Sequence, residues 1–149
     1  MKIKIDPRDA VFSKLVRTRD RWRCRHCKTQ YQEGDRGLQA AHIIGRRNKA
    51  VRWAPINCLA LCYSCHMHFT ANPIEFTEWV GKIVDLDALR ERARPIMKLS
   101  KADLAEILIN LKHEWKAMVP GKQFASPYRC DRAEPSELER RARAAREAA

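Results

Sequence analysis

Four of the six cysteines form two Cys-x-x-Cys pairs, Cys24 with Cys27 and Cys62 with Cys65. A turn of this kind brings two sulfurs towards one ion, and Zn²⁺ binds four thiolates in a tetrahedron. One pair alone could equally be a redox pair, whereas two pairs that flank 34 residues suit a clasp around a hairpin. The spacing therefore predicts a closed, structural zinc site.

Disulfides are the competing interpretation of the same cysteines. They persist in oxidising compartments, and the first residues, MKIKIDPRDA, lack the apolar run of a secretory signal. We therefore expect a cytoplasmic protein with reduced thiols. Since no segment approaches the roughly 20 apolar residues that cross a bilayer, we expect no membrane partner.

The charge of the chain is high and unevenly placed. Its 149 residues carry a formal net charge of +12. Residues 1–30 hold ten Lys and Arg against three Asp and Glu, whereas residues 71–149 hold fifteen against thirteen. A solvated basic face would explain the charge alone, but its concentration beside a metal motif favours a polyanion partner, bound through phosphates with strong salt dependence.

The elements that position these residues can be predicted coarsely. Asp6 and Pro7 are typical of a helix N-terminus, and that helix should end near Arg19. The apolar run 38–44 predicts a strand that carries His42, and a second strand and a helix should follow, with the helix beginning near Cys62 and stopping at 72–73.

Downstream of residue 72 the pattern is helical. Asn72, Pro73 and Glu75 resemble a capped N-terminus, and Ser100 with Asp103 should cap the most regular helix of the chain. One face of that helix is an apolar stripe that we interpret as core: Leu104, Ile107, Leu108, Leu111, Trp115 and Met118. Pro120-Gly121 should end it.

The order Cys-x-x-Cys, His42, Asn57, Cys62-x-x-Cys65-His66 resembles the HNH endonuclease superfamily over residues 20–76. Within that superfamily, the chain is similar to the bacteriophage NinG/Rap recombination nucleases. This similarity covers the segment AHIIGRRNKAVRWAPINCLALCYSCHMHFTANPIEF and the helix after it, and so extends to about residue 118. The resemblance implies a ββα-metal (His-Me finger) fold and cleavage of branched DNA. It would place the protein in the host cytoplasm if it is phage-encoded.

The resemblance also implies roles for single residues. His66 should ligate a catalytic Mg²⁺ or Mn²⁺, and Asn57 should fix the loop and His42 by hydrogen bonds. Because a neutral imidazole can accept a proton from water at working pH, His42 is suited to be the general base in phosphodiester hydrolysis. Arg46, Arg47 and Arg52 are candidate phosphate contacts.

One position departs from the HNH pattern. Many members have Asp or His immediately before the general base as a catalytic-metal ligand, and this chain has Ala41. His68 is the nearest spare imidazole, but it lies about 200° around the helix from His66, which disfavours sharing one ion. Asp35, Glu75, a backbone carbonyl or a substrate phosphate could replace that ligand, and the sequence does not rank them.

The overall expectation is an α+β fold with a small zinc-clasped ββα-metal core and flanking helices on its N- and C-terminal sides. We expect four segments: a basic helix (1–19), the HNH domain with its Cys₄ zinc site (20–76), a helical extension (77–119), and a linker with a flexible basic tail (120–149). The predicted function is a metal-dependent DNA endonuclease that recognises DNA shape or backbone. Symmetric cleavage of a junction would favour a homodimer. The alternatives are a catalytically weakened, zinc-dependent DNA-binding module and an interaction or packaging accessory.

Overall fold

The computed structural model describes residues 5–118. Within them an antiparallel two-stranded sheet and five helices form a small α+β fold. The elements follow one another in this order: α1 (Pro7–Arg19), β1 (Leu38–His42), β2 (Cys58–Cys62), α2 (Tyr63–Ala71), α3 (Pro73–Val80), α4 (Leu86–Ala93) and α5 (Lys101–Ala117). The predicted order of strand, loop, strand and helix is confirmed. The predicted linker and tail (120–149) lie outside the described residues.

Helix α1 begins and ends where the sequence indicates. The Asp6 side chain accepts a hydrogen bond from the Arg8 backbone N–H, and Pro7 takes the first helical position, where a missing N–H has no effect. One face of the helix, carrying Phe12, Leu15 and Val16, is fully buried. This face anchors α1 on the sheet.

The hairpin pairs Leu38 with Cys62 at one end and His42 with Cys58 at the other. Strand β1 is two residues shorter than predicted. The Asn57 side chain accepts from the Ile44 N–H at 2.7 Å and donates to the Ile44 carbonyl at 2.8 Å. Because a side chain takes both backbone groups of Ile44, the ladder does not continue through it.

The outer edge of β2 is covered by the segment after α1. The Asp20 carboxylate accepts from the Ala60 N–H, and the Arg25 N–H donates to the Ala60 carbonyl, each at 2.8 Å. Asp20 also forms a buried ion pair with Arg19, whose guanidinium donates to the Cys58 carbonyl. The open edge of the sheet is therefore satisfied without a third strand.

The junction between α2 and α3 differs from the prediction at Asn72. Its side chain donates to the His68 carbonyl at 2.8 Å and makes no capping bond to α3. Asn72 therefore satisfies an open carbonyl at the end of α2, because its side chain cannot face both helices at once. Asn72 does occupy the N-cap position of α3 and Pro73 begins the helix, as predicted, but the expected side-chain capping bond is not made.

Helix α5 has the predicted capping box, in which Ser100 and Asp103 bond each other's backbone. It packs along α1, and its stripe faces the core: Leu111 is buried, while Ile107, Trp115 and Met118 are partly buried against the same cluster. A second cluster, around Val51, Leu59 and Leu89, joins the hairpin loop to α3 and α4. None of the helices between residues 5 and 118 is both long and apolar enough to cross a membrane.

Candidate metal and imidazole sites

The four paired cysteines meet at one point of the fold. Cys24 and Cys27 lie in the turn after α1, Cys62 ends β2, and Cys65 lies in the first turn of α2. Their sulfur atoms all lie within 4.8 Å of one another, and the Sγ atoms of Cys27 and Cys62 are 3.7 Å apart. A tetrahedron with Zn–S bonds of about 2.3 Å has edges of about 3.8 Å. The cluster could therefore bind a metal such as zinc.

Local backbone structure builds the first pair of ligands. The Cys24 N–H donates to the Thr29 carbonyl, and the Lys28 N–H donates back to the Cys24 carbonyl, both at 3.0 Å. Lys28 closes this turn with a φ of 65°, in the left-handed region. The turn thereby points both thiols to the same side.

The thiols of the cluster differ in proton affinity. Burial raises the pKa of the Cys24 and Cys65 thiols, whereas a hydrogen bond with the Thr29 hydroxyl is the main cause that lowers the pKa of Cys27 to about 6. Backbone N–H groups also point at sulfur: that of Cys62 at Cys24 Sγ, and that of Cys65 at Cys62 Sγ. Such donors suit a cluster that carries thiolates.

Sequence reasoning missed a neighbour of the cluster, His26. Its Nδ1 lies 3.3 Å from Cys65 Sγ, and its ring makes edge contacts with Phe69 and Trp79. The Cys-x-x-Cys pattern itself holds this histidine, so the available signal was an imidazole between two thiol ligands. His26 is placed to donate a hydrogen bond to a metal-bound sulfur.

His42 lies at the end of β1, half-buried, and its Nε2 is 2.9 Å from the Arg52 carbonyl oxygen. A carbonyl only accepts, so Nε2 carries the proton and Nδ1 has the free lone pair. Burial, with a smaller contribution from the Arg46 charge, lowers the pKa of His42 below its ordinary value. His42 is thus a neutral imidazole at neutral pH.

His66 lies on α2, one residue after Cys65. Its Nδ1 is 2.7 Å from Oε1 of Gln39, the second residue of β1. Since the amide oxygen accepts, the proton lies on Nδ1 and the lone pair on Nε2, the reverse of His42. Burial lowers the pKa of His66. Gln39 is a second residue that the sequence reasoning missed, although it is polar within an otherwise apolar strand.

Asn57 is fully buried at the base of the hairpin loop. Besides its two bonds to Ile44, its amide donates to the Val51 carbonyl at 3.1 Å. The Asn57 side chain therefore connects Ile44 and Val51, two separate points of the loop that follows His42. Because the Asn57 side chain is not exposed, it holds the loop together from inside and is not accessible to a substrate.

The three candidate arginines are not equivalent. Arg52 donates Nε and Nη2 to the Asp9 carboxylate, at 3.1 and 2.6 Å. Arg46 lies 3.9 Å from the same carboxylate with 65% of its side chain exposed, and Arg47 is exposed. A phosphate could reach Arg46 and Arg47 directly but would have to compete with Asp9 for Arg52.

Asp9, on α1, organises this loop from outside it. Its Oδ1 also accepts from Trp53 Nε1 at 2.8 Å. Burial opposes ionisation of Asp9, but the hydrogen bonds from Arg52 and Trp53 prevail and lower the pKa of its carboxyl. The backbone carbonyl that holds His42 belongs to Arg52, so Asp9 fixes the residue that fixes the imidazole.

The residues considered as replacements for a ligand at position 41 have partners of their own. Ala41 is buried, with 2% exposed. Asp35 accepts from the Gly37 N–H at 2.7 Å, and His68 Nε2 lies 3.0 Å from Glu75 on the surface. Among residues 5–118, the cysteine cluster is the only group of three or more such side chains placed to hold one ion.

Comparisons of the chain with protein-family models, with curated proteins and with solved structures give no match.

Proposed function

We propose that the protein is a metal-dependent DNA endonuclease of the HNH type, with a structural Zn²⁺ in its cysteine cluster. The observation that carries this proposal is the state of the two imidazoles at predicted site positions, each neutral at neutral pH and each bonded at one ring nitrogen. His42 presents a free Nδ1 and His66 a free Nε2, each fixed by a hydrogen bond at the other ring nitrogen. Hydrolysis of a phosphodiester needs one proton acceptor and one metal ligand, and these two rings can supply them.

His42 is the general base. Its lowered pKa keeps Nδ1 unprotonated at neutral pH, so the ring can take a proton from a water molecule that attacks phosphorus. The new P–O bond forms as the bond to the 3′ oxygen breaks. The bond from Nε2 to Arg52 keeps the ring from turning and supports the imidazolium that results.

His66 would hold the catalytic ion through Nε2. A bound Mg²⁺ or Mn²⁺ supplies Lewis-acid stabilisation of the charge on the phosphate and the leaving oxygen. Because Ala41 is buried and apolar, His66 would hold such an ion with few other protein ligands, and substrate phosphate could supply further oxygen ligands. This predicts weak binding of the ion until DNA is present.

The zinc cluster orients the catalytic helix. Cys62 precedes α2 and its sulfur accepts from the Cys65 N–H, so two of the four ligands hold the first turn of that helix. His66 follows directly and points to the other side. Zinc thus fixes His66 relative to β1, which carries both His42 and Gln39.

Charge supports DNA as the substrate. Arg46 and Arg47 are exposed in the loop that follows His42, and the chain carries a net charge of +12. These arginines can bind phosphates beside the base without reading sequence. Preference for branched DNA, and a homodimer that cuts both strands, follow from the resemblance to recombination nucleases and belong to the proposal.

The test is cleavage of labelled duplex, single-stranded, flap and four-way-junction DNA with EDTA, Mg²⁺ or Mn²⁺. Wild type is compared with His42→Ala and, as the matched control, with His113→Ala on the exposed face of α5. We expect metal-dependent cleavage that only His42→Ala loses, at equal zinc content and DNA affinity. Cleavage that survives in His42→Ala would refute the assigned base.

A second function, a zinc-clasped DNA-binding module without catalysis, is favoured by Ala41 and by the basic N-terminal third of the chain. It predicts that the zinc-loaded wild type binds the same DNAs without added Mg²⁺ or Mn²⁺ and cleaves none of them with either metal. The same panel therefore decides between the two functions.

A further inference from the structure

The segment 21–28, which we call the cysteine turn, carries a dense set of cations around the first cysteine pair. Its sequence, RWRCRHCK, has four Lys or Arg and no acidic side chain. Arg21, Arg23 and Lys28 are exposed, and none of them forms an ion pair with another residue between 5 and 118. At α4, by contrast, Arg90 and Arg94 each pair with an acidic residue three positions earlier. The cysteine turn is therefore a local excess of positive charge.

The backbone of the cysteine turn is firmly held. Arg23 Nε donates to the Lys28 carbonyl at 2.7 Å and so closes across the turn. The Gln30 side-chain amide donates to the Arg21 and Trp22 carbonyls, at 2.9 and 3.2 Å. Among the described residues, Arg21, Trp22 and Lys28 are the only ones other than glycine with a positive φ. Such conformations persist where the surrounding structure imposes them, and they are common at binding sites. A ligand would meet cations on an ordered backbone, which lowers the entropy cost of binding.

The cysteine cluster offers a competing reason for this charge. Four thiolates around one Zn²⁺ leave two negative charges, which nearby cations would offset. The four cations of the cysteine turn exceed that need. The excess suits a polyanion, and the phosphates of DNA are the polyanion that the proposed function supplies.

We infer that the cysteine turn is a second phosphate-binding surface for DNA, formed by Arg21, Arg23 and Lys28 and separate from Arg46 and Arg47. This inference rests on the proposed function. The loop with Arg46 and Arg47 joins the strands at one end of the hairpin, and the cysteine cluster lies at the other end. Five paired residues span about 13 Å, so the two surfaces bind different phosphates. The cluster thereby has a second role, since it shapes a surface that holds DNA.

The first arm of the test measures how DNA binding depends on salt. The full-length, zinc-loaded protein is titrated with a labelled duplex in the absence of Mg²⁺ and Mn²⁺. Each phosphate contact contributes about 0.9 to the slope of the logarithm of the binding constant against the logarithm of the salt concentration. We expect the slope to decrease by between about two and three in a variant that removes all three cations. That variant carries these changes: Arg21→Gln, Arg23→Gln and Lys28→Gln.

The matched control removes the same charge from exposed positions in the helical half of the chain. It carries these changes: Lys82→Gln, Lys101→Gln and Lys112→Gln. We expect its slope to differ from that of wild type by less than about one. Equal slopes in the two variants would overturn the surface, because net charge alone would then explain the binding.

Zinc content separates DNA binding from support of the cluster. If the cations bind DNA, the cysteine-turn variant keeps the zinc content and the melting temperature of wild type. Loss of zinc in this variant would overturn the surface, because the cations would then serve the thiolates.

Protection of Lys28 tests the same surface in the unaltered protein. At a duplex concentration of about ten times Kd, acylation of Lys28 should slow by about tenfold, whereas the exposed Lys112 should keep its rate. Equal acylation rates of Lys28 with and without duplex would overturn the surface, even if the cysteine-turn variant does not fold.

The inference and the proposed function can fail separately, because binding measured without Mg²⁺ or Mn²⁺ does not depend on cleavage. A lower slope in the cysteine-turn variant and a protected Lys28, in a protein that cleaves no DNA, would support the surface and remove the nuclease. An unchanged slope in a protein that cleaves DNA would overturn the surface and leave the nuclease in place. Wild type that binds no duplex would overturn both.

Discussion

The cysteine cluster and the proposed catalytic site, His42 on β1 with His66 on α2, are built in different ways. Four sulfurs within 4.8 Å of one another complete the first by themselves. The second has one candidate ligand, His66, and one candidate base, His42, each held by a hydrogen bond at one ring nitrogen. A complete set of ligands suits a structural ion, whereas an incomplete set leaves room for substrate.

The contacts that hold the residues of the two sites in place differ as well. The cysteines are placed by backbone turns and by the pairing of β1 with β2, which are local consequences of the sequence. The imidazoles depend on contacts between distant parts of the chain: Asp9 with Arg52 over 43 residues, and Gln39 with His66 over 27. We therefore expect the cluster to govern stability and the distant contacts to govern activity.

The largest effect should come from breaking the cluster. In Cys24→Ala the cluster loses a buried ligand of the proposed zinc ion, and because binding of a structural metal is coupled to folding, the free energy of unfolding should fall by on the order of 10 kcal/mol. We expect no bound zinc and no cooperative melting transition, measured by elemental analysis and circular dichroism.

Cys58→Ala provides the matched control for that change. Cys58 is also fully buried but lies outside the cluster, so its replacement should cost only about 1 kcal/mol and leave zinc in place. If both variants kept zinc and melted alike, the cluster would not be what stabilises the fold.

The next effect concerns the covered edge of β2. Asp20→Ala removes the acceptor of the Ala60 N–H and leaves the Arg19 guanidinium, 2% exposed, without its carboxylate. Breaking a buried pair in this way costs about 3–5 kcal/mol in the free energy of unfolding, measurable with urea.

Glu91→Ala, at an exposed pair with Arg94, should change that free energy by less than about 1 kcal/mol. Equal effects of Asp20→Ala and Glu91→Ala would show that the edge is not held by this pair.

The difference between the two sites also explains which parts of the structure could be predicted from the sequence. Cys-x-x-Cys spacing determines local geometry, so the cluster, the hairpin between its halves and α2 could all be predicted. Apolar periodicity likewise placed α1 and α5, whose buried faces meet.

Contacts made by single polar side chains over long separations could not be predicted. Asn72 stands at the N-cap position of α3 as expected, but its side chain bonds the end of α2, because either helix end offers it unsatisfied groups. Gln39 and Asp20 looked like ordinary polar residues until the fold placed His66 and Ala60 against them. The apolar periodicity of a sequence indicates which face of a helix or strand is buried. It does not indicate which other element packs against that face, and these hydrogen bonds depend on that packing.

A smaller effect, on the rate of DNA cleavage, should come from a change near His42 that leaves the cysteine cluster intact. Asp9→Ala releases Arg52 and Trp53, and so loosens the carbonyl that holds His42. We expect cleavage to slow about tenfold, equivalent to about 1.4 kcal/mol in the barrier, at unchanged zinc content. The exposed Asp87→Ala is the control. A loss of zinc in Asp9→Ala would mean that the two sites are not independent.

The smallest effect is on pH dependence, and it tests the state of the base. Because burial lowers the pKa of His42, the base form should persist below the ordinary histidine range, and the cleavage rate should fall with acid only as pH drops through that lowered pKa.

The same shift in the pKa of His42 acts on the stability of the fold. The unfolded chain binds the proton first, so stability is full at neutral pH and declines as pH falls from the unfolded to the folded pKa. The rate profile of wild type, compared with a thermal-melting series of wild type and His42→Gln, measures both. His42→Gln should lose part of the acid destabilisation. A rate midpoint above the ordinary histidine value would instead mean that the proton lost belongs to another group.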